Sequence, residues 1–262
     1  MSRDHPHRRD LLQALAAIGG LALSGCDCVA SAPRLRSVLD AANSLTYKVQ
    51  RLLVGAHRLA PEYNETDISP AFRPNGSTDP QDVEYLKLVG NHFADWRLKV
   101  HGLVEHELSL SLEALRALPA RTQITRHDCV EGWSCIGKWT GVPLAEILSR
   151  AGVRPEARLV VFHCADTLDD GGDSTDPEAI RYYESIDLID ARHPQTILAY
   201  DMNGEALTIP HGAPLRLRLE RQLGYKMAKY IMRIELTRSV ADLHGGRGGY
   251  WEDRGYEWYA GI

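Results

Sequence analysis

The chain has 262 residues, of which 44% are hydrophobic and 25% charged, and its formal net charge is -5. That length supports one large domain or two small ones with a substantial core. The acidic balance argues against a general nucleic-acid binder, which needs a basic face.

The first residues read as an export segment rather than as fold. Arg8-Arg9 stands before an apolar run from Leu11 to Leu23, too short to cross a bilayer comfortably. His7 to Gln13 resembles a twin-arginine signal, with Leu11 where phenylalanine is usual and Gln13 where lysine is usual. Leu23-Ser24-Gly25-Cys26 resembles a bacterial lipobox, which implies cleavage before Cys26 and acylation there; Asp27 after it implies retention on the inner membrane. The alternative is an ordinary signal peptide cleaved near Ala30 or Ala32. A twin-arginine route carries folded proteins, as a cofactor inserted before export requires.

Downstream, Ser37 to Leu53 is compatible with a helix, and Pro61 to Pro80 reads as an extended loop rich in Pro, Asn, Ser and Asp. The alternation from Trp96 to Val104 predicts a half-buried strand. Leu112, Leu115 and Leu118 fall at helical spacing behind Ser111 as N-cap, with Pro119 as the stop. A second short helix is predicted over Pro143–Ala151, with Gly152 ending it. Arg158 to Cys164 is a buried strand by its length and β-branching, and Asp166 to Asp176 is an acidic Gly/Ser loop. Leu215, Leu217 and Leu219 alternate with Arg216, Arg218 and Glu220, which predicts a strand with one core face and one charged face. Tyr230 to Leu236 reads as its partner strand, and Gln222 to Lys229 as the glycine-punctuated turn between them. The tail from Gly245 to Tyr259 is too aromatic for free linker and is expected to pack back on the domain.

The segment richest in chemistry is Arg126-His127-Asp128-Cys129-Val130-Glu131-Gly132-Trp133-Ser134, read as lying just before a helix start. A cysteine among polar and aromatic residues suits a thiolate holding a soft metal. The segment resembles the cysteine motif of the sulfite-oxidase-like molybdopterin-dependent oxidoreductases. Its Cys-Val-Glu-x-Trp-Ser form is most similar to the branch of periplasmic protein-methionine-sulfoxide reductase catalytic subunits. The resemblance implies an α+β fold of mixed sheets with flanking helices, a molybdenum-molybdopterin cofactor, and Cys129 as catalytic residue and metal ligand.

His211 to Arg216 and Gly224 to Lys229 resemble the family's two phosphate-and-pterin segments. By that likeness His211, Arg216, Gly224, Tyr225, Lys226 and Lys229 become cofactor-binding candidates, since a phosphate needs converging cations and amides. Asn75, in the Pro-rich loop, joins them, as does Cys164, where close relatives carry a threonine. The implied domains are an export signal over 1–25, an N-terminal extension with the cofactor-pocket loop over 26–80, the catalytic domain over 81–240 and the tail over 241–262.

Taken alone, the residues leave alternatives open. Cys135 and Cys164 read as small core residues. His127, His163 and His211 with the cysteines raise a zinc site, but the spacing matches no closed set. Arg218 reads equally as a solvated strand face. Trp133 and Trp139 are packing groups or pocket walls, and Asp128 and Glu131 either orient the cysteine loop or handle protons.

Classical sulfite oxidases carry small residues, then Asn and Arg, after the ligand cysteine. Val130 to Ser134 departs from that, so an S-oxide or N-oxide on a small molecule or an oxidised side chain is the expected substrate, reduced by two-electron oxo transfer. Sulfite-type dehydrogenation and a non-catalytic binding lipoprotein are the alternatives. No haem motif, iron-sulfur cysteine set or nucleotide-binding glycine fingerprint is present. A separate donor is therefore expected, a membrane haem protein near a lipid-anchored periplasmic enzyme being the favoured arrangement.

Overall fold

Two five-stranded sheets carry the fold in the computed structural model, which describes residues 45–52, 55, 57–168 and 181–262. Residues 45–52 are helical, within the span expected from 37 to 53. The export signal, the lipobox with Cys26 and most of the acidic loop lie outside the described residues. From residue 54 to 262 the chain is one unit, and it is α+β.

The first sheet has the order β2-β1-β10-β5-β6, formed by β1 (Arg97–Gly102), β2 (Leu108–Ser111), β5 (Leu159–Thr167), β6 (Arg181–Asp187) and β10 (Ile231–Thr237). Strands β1 and β10 run parallel and the other neighbours antiparallel, so the sheet is mixed. The alternation read at β1 is real: Leu98 and Val100 are buried while Arg97 and Lys99 face out. In β5, Val160, Val161 and Phe162 are all buried, as expected of a central strand covered on both faces.

The second sheet follows β3 (Arg121–Asp128), β4 (Ser134–Pro143), β7 (Ile197–Met202) and β8 (Glu205–Ala206), with β9 (Arg216–Arg218) paired to β7. The sequence reading missed the β3–β4 hairpin. Its inward positions Gln123, Thr125 and His127 are polar, so no apolar alternation announces β3.

Helix α1 (Val83–Gly90) begins at Asp82, whose carboxylate accepts from Tyr85 N at 2.8 Å. Helix α2 (Leu112–Arg116) has Ser111 Oγ accepting from Ala114 N at 3.0 Å, the predicted cap. Helix α3 (Leu144–Ala151) stops at Gly152, whose φ of 66° needs a residue without a side chain. Helix α4 (Leu188–Ala191) follows β6.

Two readings are corrected. The polar side of the 215–219 strand is not solvated: Arg216 and Arg218 are buried, because β9 lies between layers that cover both its faces. Nor do β9 and β10 pair as sheet neighbours. They belong to different sheets, and residues 219–230 cross between them.

The tail is tied by polar contacts. Tyr250 N donates to Tyr183 O at 3.0 Å. Glu252 shares Lys226 with Glu184 in a fully buried triad. Burial and the charge of Glu252 push Glu184 well above the usual carboxylate range. Burial works against the Lys226 ammonium too, but the two carboxylates outweigh it and raise its pKa. Removing one member of such a group strands buried charge. Lys226→Met is expected to cost on the order of 3–5 kcal/mol by denaturant unfolding, whereas an exposed lysine such as Lys87 should cost less than about 0.5 kcal/mol when changed to Met.

His163 in β5 gives a pH signature. Burial and then Arg233 push its pKa down to about 4, although Glu235 accepts from it at 2.9 Å. Between about 6.5 and 4 the unfolded chain therefore binds a proton that the folded chain does not, and stability falls as pH falls through that window. His163→Gln should flatten the slope of unfolding free energy there by up to about 1.4 kcal/mol per pH unit.

Candidate active site

Cys129 stands at the tip of the β3–β4 hairpin, not at a helix start as read from sequence. Cys129 N donates to Trp133 O at 2.9 Å and Gly132 N to Cys129 O at 3.0 Å, with Gly132 at a φ of 86°. Around this turn the Asp128 carboxylate accepts from Arg126 and Ser134. Glu131 accepts from Trp133 Nε1 at 2.9 Å and pairs with Arg73 at 3.5 Å. Asp128 and Glu131 thus brace the loop from either side. Burial pushes the Cys129 thiol up, partly offset by hydrogen bonds from the Glu131 and Val130 backbone. A metal cation bound here would favour the thiolate instead.

Cys129 lines a cavity of about 140 Å³ with Asn75, Gly76, Ser77, Asp166 and Lys229 toward its polar side. Val130, Leu168, Met227, Tyr182, Trp251 and Tyr256 give apolar and aromatic wall. Of the candidates, Asn75, Cys129, Gly224, Tyr225 and Lys229 meet here. Asn75 Oδ1 and Asp166 Oδ1 are buried without a hydrogen-bond partner. Lys229 donates to the Ser77 and Pro210 carbonyls, and burial followed by Arg216 brings its pKa down to about 7. Burial raises Asp166 to about 7, with Lys229 pulling the other way.

Behind the hairpin sits a second polar layer. Arg218 clasps Glu220 with bonds of 3.0 and 2.7 Å and donates to His127 Nδ1 at 3.1 Å. His127 is buried and held neutral, well below the usual imidazole range, by burial and then by Arg218. Arg216 donates to His211 O at 2.9 Å, while its Nε and Nη2 find no partner. Burial and Arg218 lower the Arg216 pKa to about 9. Both guanidiniums lie over the Trp139 ring, at 4.8 and 4.3 Å, so Trp139 is a packing platform rather than a pocket wall.

Other candidates stand differently. His211 engages Thr208 at 3.0 Å and the Phe72 carbonyl at 3.1 Å with its two ring nitrogens. The Lys226 ammonium is taken up by Glu184 and Glu252, which leaves its backbone for any ligand. Cys164 is buried and lines a separate cavity with His163 and Tyr183; burial drives its thiol pKa well up. No group of three His, Cys, Asp or Glu among the described residues is placed to hold a metal, so the zinc alternative is not assembled. Sequence reasoning also missed Ser77, Asp166, Tyr182 and the tail pair Trp251 and Tyr256; the aromatic content of the tail was their one signal.

This donor set fits a molybdopterin. A single thiolate at the cavity suits a metal whose remaining soft ligands arrive with the cofactor. The unpartnered N–H groups of Arg216 and the Lys229 ammonium suit an anionic group, and the buried Asn75 oxygen suits a hydrogen-bond donor such as a pterin N–H.

The comparisons decide the matter. Residues 86–244 match the family described as oxidoreductase molybdopterin binding domain. The chain belongs to that family. It is a molybdopterin-dependent oxidoreductase of the sulfite-oxidase-like group.

An Azospira oryzae relative, provisionally named protein-methionine-sulfoxide reductase subunit YedZ1, is 38% identical over 98% of this chain and 88% of its own length. The protein-methionine-sulfoxide reductase catalytic subunit MsrP of Xanthomonas campestris is 32% identical over 90% of this chain and 71% of its own. The uncharacterized oxidoreductase YuiH of Bacillus subtilis is 32% identical over 76% and 86%. Among solved structures, the sulfane dehydrogenase SoxCD of Paracoccus pantotrophus aligns over 60% of this chain and 44% of its own, at 24% identity and a TM-score of 0.49.

Gly224 owes its identity to the hairpin. A Cβ there would lie 2.4 Å from the His127 ring. Gly224→Ala is expected to destabilise the enzyme by about 1–3 kcal/mol, as overpacking does. In a His127→Ala background the added cost of Gly224→Ala should largely vanish, a coupling that a double-mutant cycle reads directly.

Proposed function

We propose that this molybdoenzyme reduces S-oxides to thioethers by oxo transfer, with Cys129 as the protein's metal ligand. The observation that carries the reading is the character of the cavity at Cys129: Val130, Met227, Trp251 and Tyr256 line it together with the charged groups Glu131, Asp166 and Lys229. Such a wall suits a neutral, weakly polar S-oxide bearing carbon substituents. A sulfite dianion would meet two carboxylates, Glu131 and Asp166, against the one cation, Lys229, that the reading gives to the cofactor. Arg73, which reaches toward the hairpin, is paired with Glu131 and lies over Trp133. The relatives named as protein-methionine-sulfoxide reductases support the same substrate class, and an oxidised methionine side chain is its natural member.

The reaction balances as one S-oxide, two protons and two electrons giving one thioether and one water. When bound, the molybdenum cofactor supplies a two-electron centre that accepts the oxygen atom. The chain's own part is to hold and orient. Asn75, Arg216 and Lys229 would hold the cofactor, with Tyr225 and the Gly224 and Lys226 backbones beside it. His211 would position Arg216 through its carbonyl. The aromatic wall excludes water and orients the S–O bond toward the Cys129 side.

Electrons come from a separate protein in this reading, a membrane haem protein being the partner that an exported, anchored enzyme would meet. The export signal at Arg8-Arg9 and an anchor at Cys26 complete the proposal, with the enzyme working in the bacterial periplasm. Among the described residues no helix is long and apolar enough to cross a membrane.

The test is direct. Protein from a cofactor-competent host is expected to carry near-stoichiometric molybdenum and to reduce methionine sulfoxide with a reduced viologen dye, while sulfite gives no turnover with ferricyanide. Cys129→Ser should keep the unfolding midpoint and lose at least about a hundredfold in kcat, the scale of losing a transition-state interaction of roughly 3 kcal/mol. Sulfite oxidation exceeding sulfoxide reduction would reverse the assigned direction.

A further inference from the structure

We infer that the C-terminal segment sets substrate specificity, with Trp251 and Tyr256 forming a two-ring wall that receives the carbon substituent next to the oxidised sulfur. This rests on the S-oxide reading of the site and deepens it.

Both residues line the Cys129 cavity, although they lie more than a hundred positions away in sequence. Their rings stack at 5.1 Å and 28°. Tyr256 also meets Tyr225 edge-on at 5.2 Å, and Tyr225 OH donates to Glu257 O at 2.6 Å. The pair is held from both sides. Tyr256 N donates to Trp251 O at 3.0 Å across a turn that Gly255 permits with a φ of 104°. Glu252, next to Trp251, is locked to the buried Lys226. A ring wall fixed this way loses little freedom when a ligand arrives.

Tyr256 is nevertheless 36% exposed, so its ring is partly open to incoming molecules. The chemistry recognised follows from the rings. Sulfur and its attached carbons make favourable contacts with aromatic edges and faces, and an aryl or long alkyl substituent adds stacked apolar area. The wall therefore prefers bulky thioether S-oxides over dimethyl sulfoxide.

The experiment uses the molybdenum-loaded enzyme with Tyr256→Ala, Trp251→Ala and Trp251→Phe. Calorimetric Kd and steady-state KM are measured for methyl p-tolyl sulfoxide and dimethyl sulfoxide, with molybdenum per chain determined alongside. Each alanine variant is expected to raise Kd and KM for the aryl sulfoxide by roughly two- to tenfold. Dimethyl sulfoxide should be affected less, molybdenum should stay bound, and Trp251→Phe should restore most of the loss.

Unchanged Kd in Tyr256→Ala and Trp251→Ala would overturn the inference. So would equal weakening of both sulfoxides accompanied by loss of molybdenum, which would make the wall a cofactor cover. A wild-type enzyme that binds the aryl sulfoxide with this ring dependence but never reduces it would support the wall and overturn only the reductase reading.

Discussion

The placement of Cys129 depends on one contact, the His127 imidazole against Gly224. His127 lies two residues before the cysteine, and no side chain fits between its ring and the 224 backbone. Arg218 holds the other edge of the imidazole, and Glu220 holds Arg218. Glu220 also accepts from Gln123, which shares the inward face of β3 with His127. The hairpin is thus fastened at two points four residues apart to one short segment of chain. Buried hydrogen bonds such as these specify geometry more sharply than an apolar contact of similar area, because a misplacement strands the groups they pair.

The same region concentrates buried cations. Between residues 216 and 229, Arg216, Arg218, Arg221, Lys226 and Lys229 are all buried. Three of them have carboxylates bonded to them: Glu220 for Arg218, Asp190 for Arg221, and Glu184 with Glu252 for Lys226. Arg216 and Lys229 have carbonyl oxygens instead. Their depressed pKa values follow from that difference, since carbonyl dipoles offset less of the desolvation cost than an ionised partner does. The cations are therefore sorted by role. Those with carboxylates build the fold, and those without are the ones an anionic cofactor would complete.

That sorting explains what the sequence made legible. The motif around Cys129 and the caps at Ser111 and Gly152 are local, so residue type and spacing were enough. The burial of the β9 arginines was not legible: strict alternation with leucines marks a charged face, and only the second layer of structure covers it. Lys226 and Lys229 are equivalent by type and lie in one turn. They differ because Glu184 and Glu252 lie near one and not the other, 42 and 26 residues away in sequence. Strand β3 escaped notice for a related reason, since its core-facing residues are polar, with Gln123 and His127 Nδ1 bonded to groups far away in sequence. Cys164 was singled out by likeness to a threonine position, yet its burial on β5 turns it toward another cavity.

The triad at Lys226 also links stability to the shape of the site. Glu252 is flanked by Trp251, so the ion pair that secures the tail fixes an aromatic ring at the cavity of Cys129. Asp253 reinforces this by accepting from Gly245 N and Arg247 N, each at 3.0 Å, and from Tyr183 OH. A tail held only by apolar packing could slide by an ångström at little cost. One held through buried charge and backbone bonds cannot, because each bond is directional and each unpaired charge is expensive. The burial cost of that triad is thereby offset by a fixed wall: the cavity keeps its outline on a segment that would otherwise be the most mobile part of the unit.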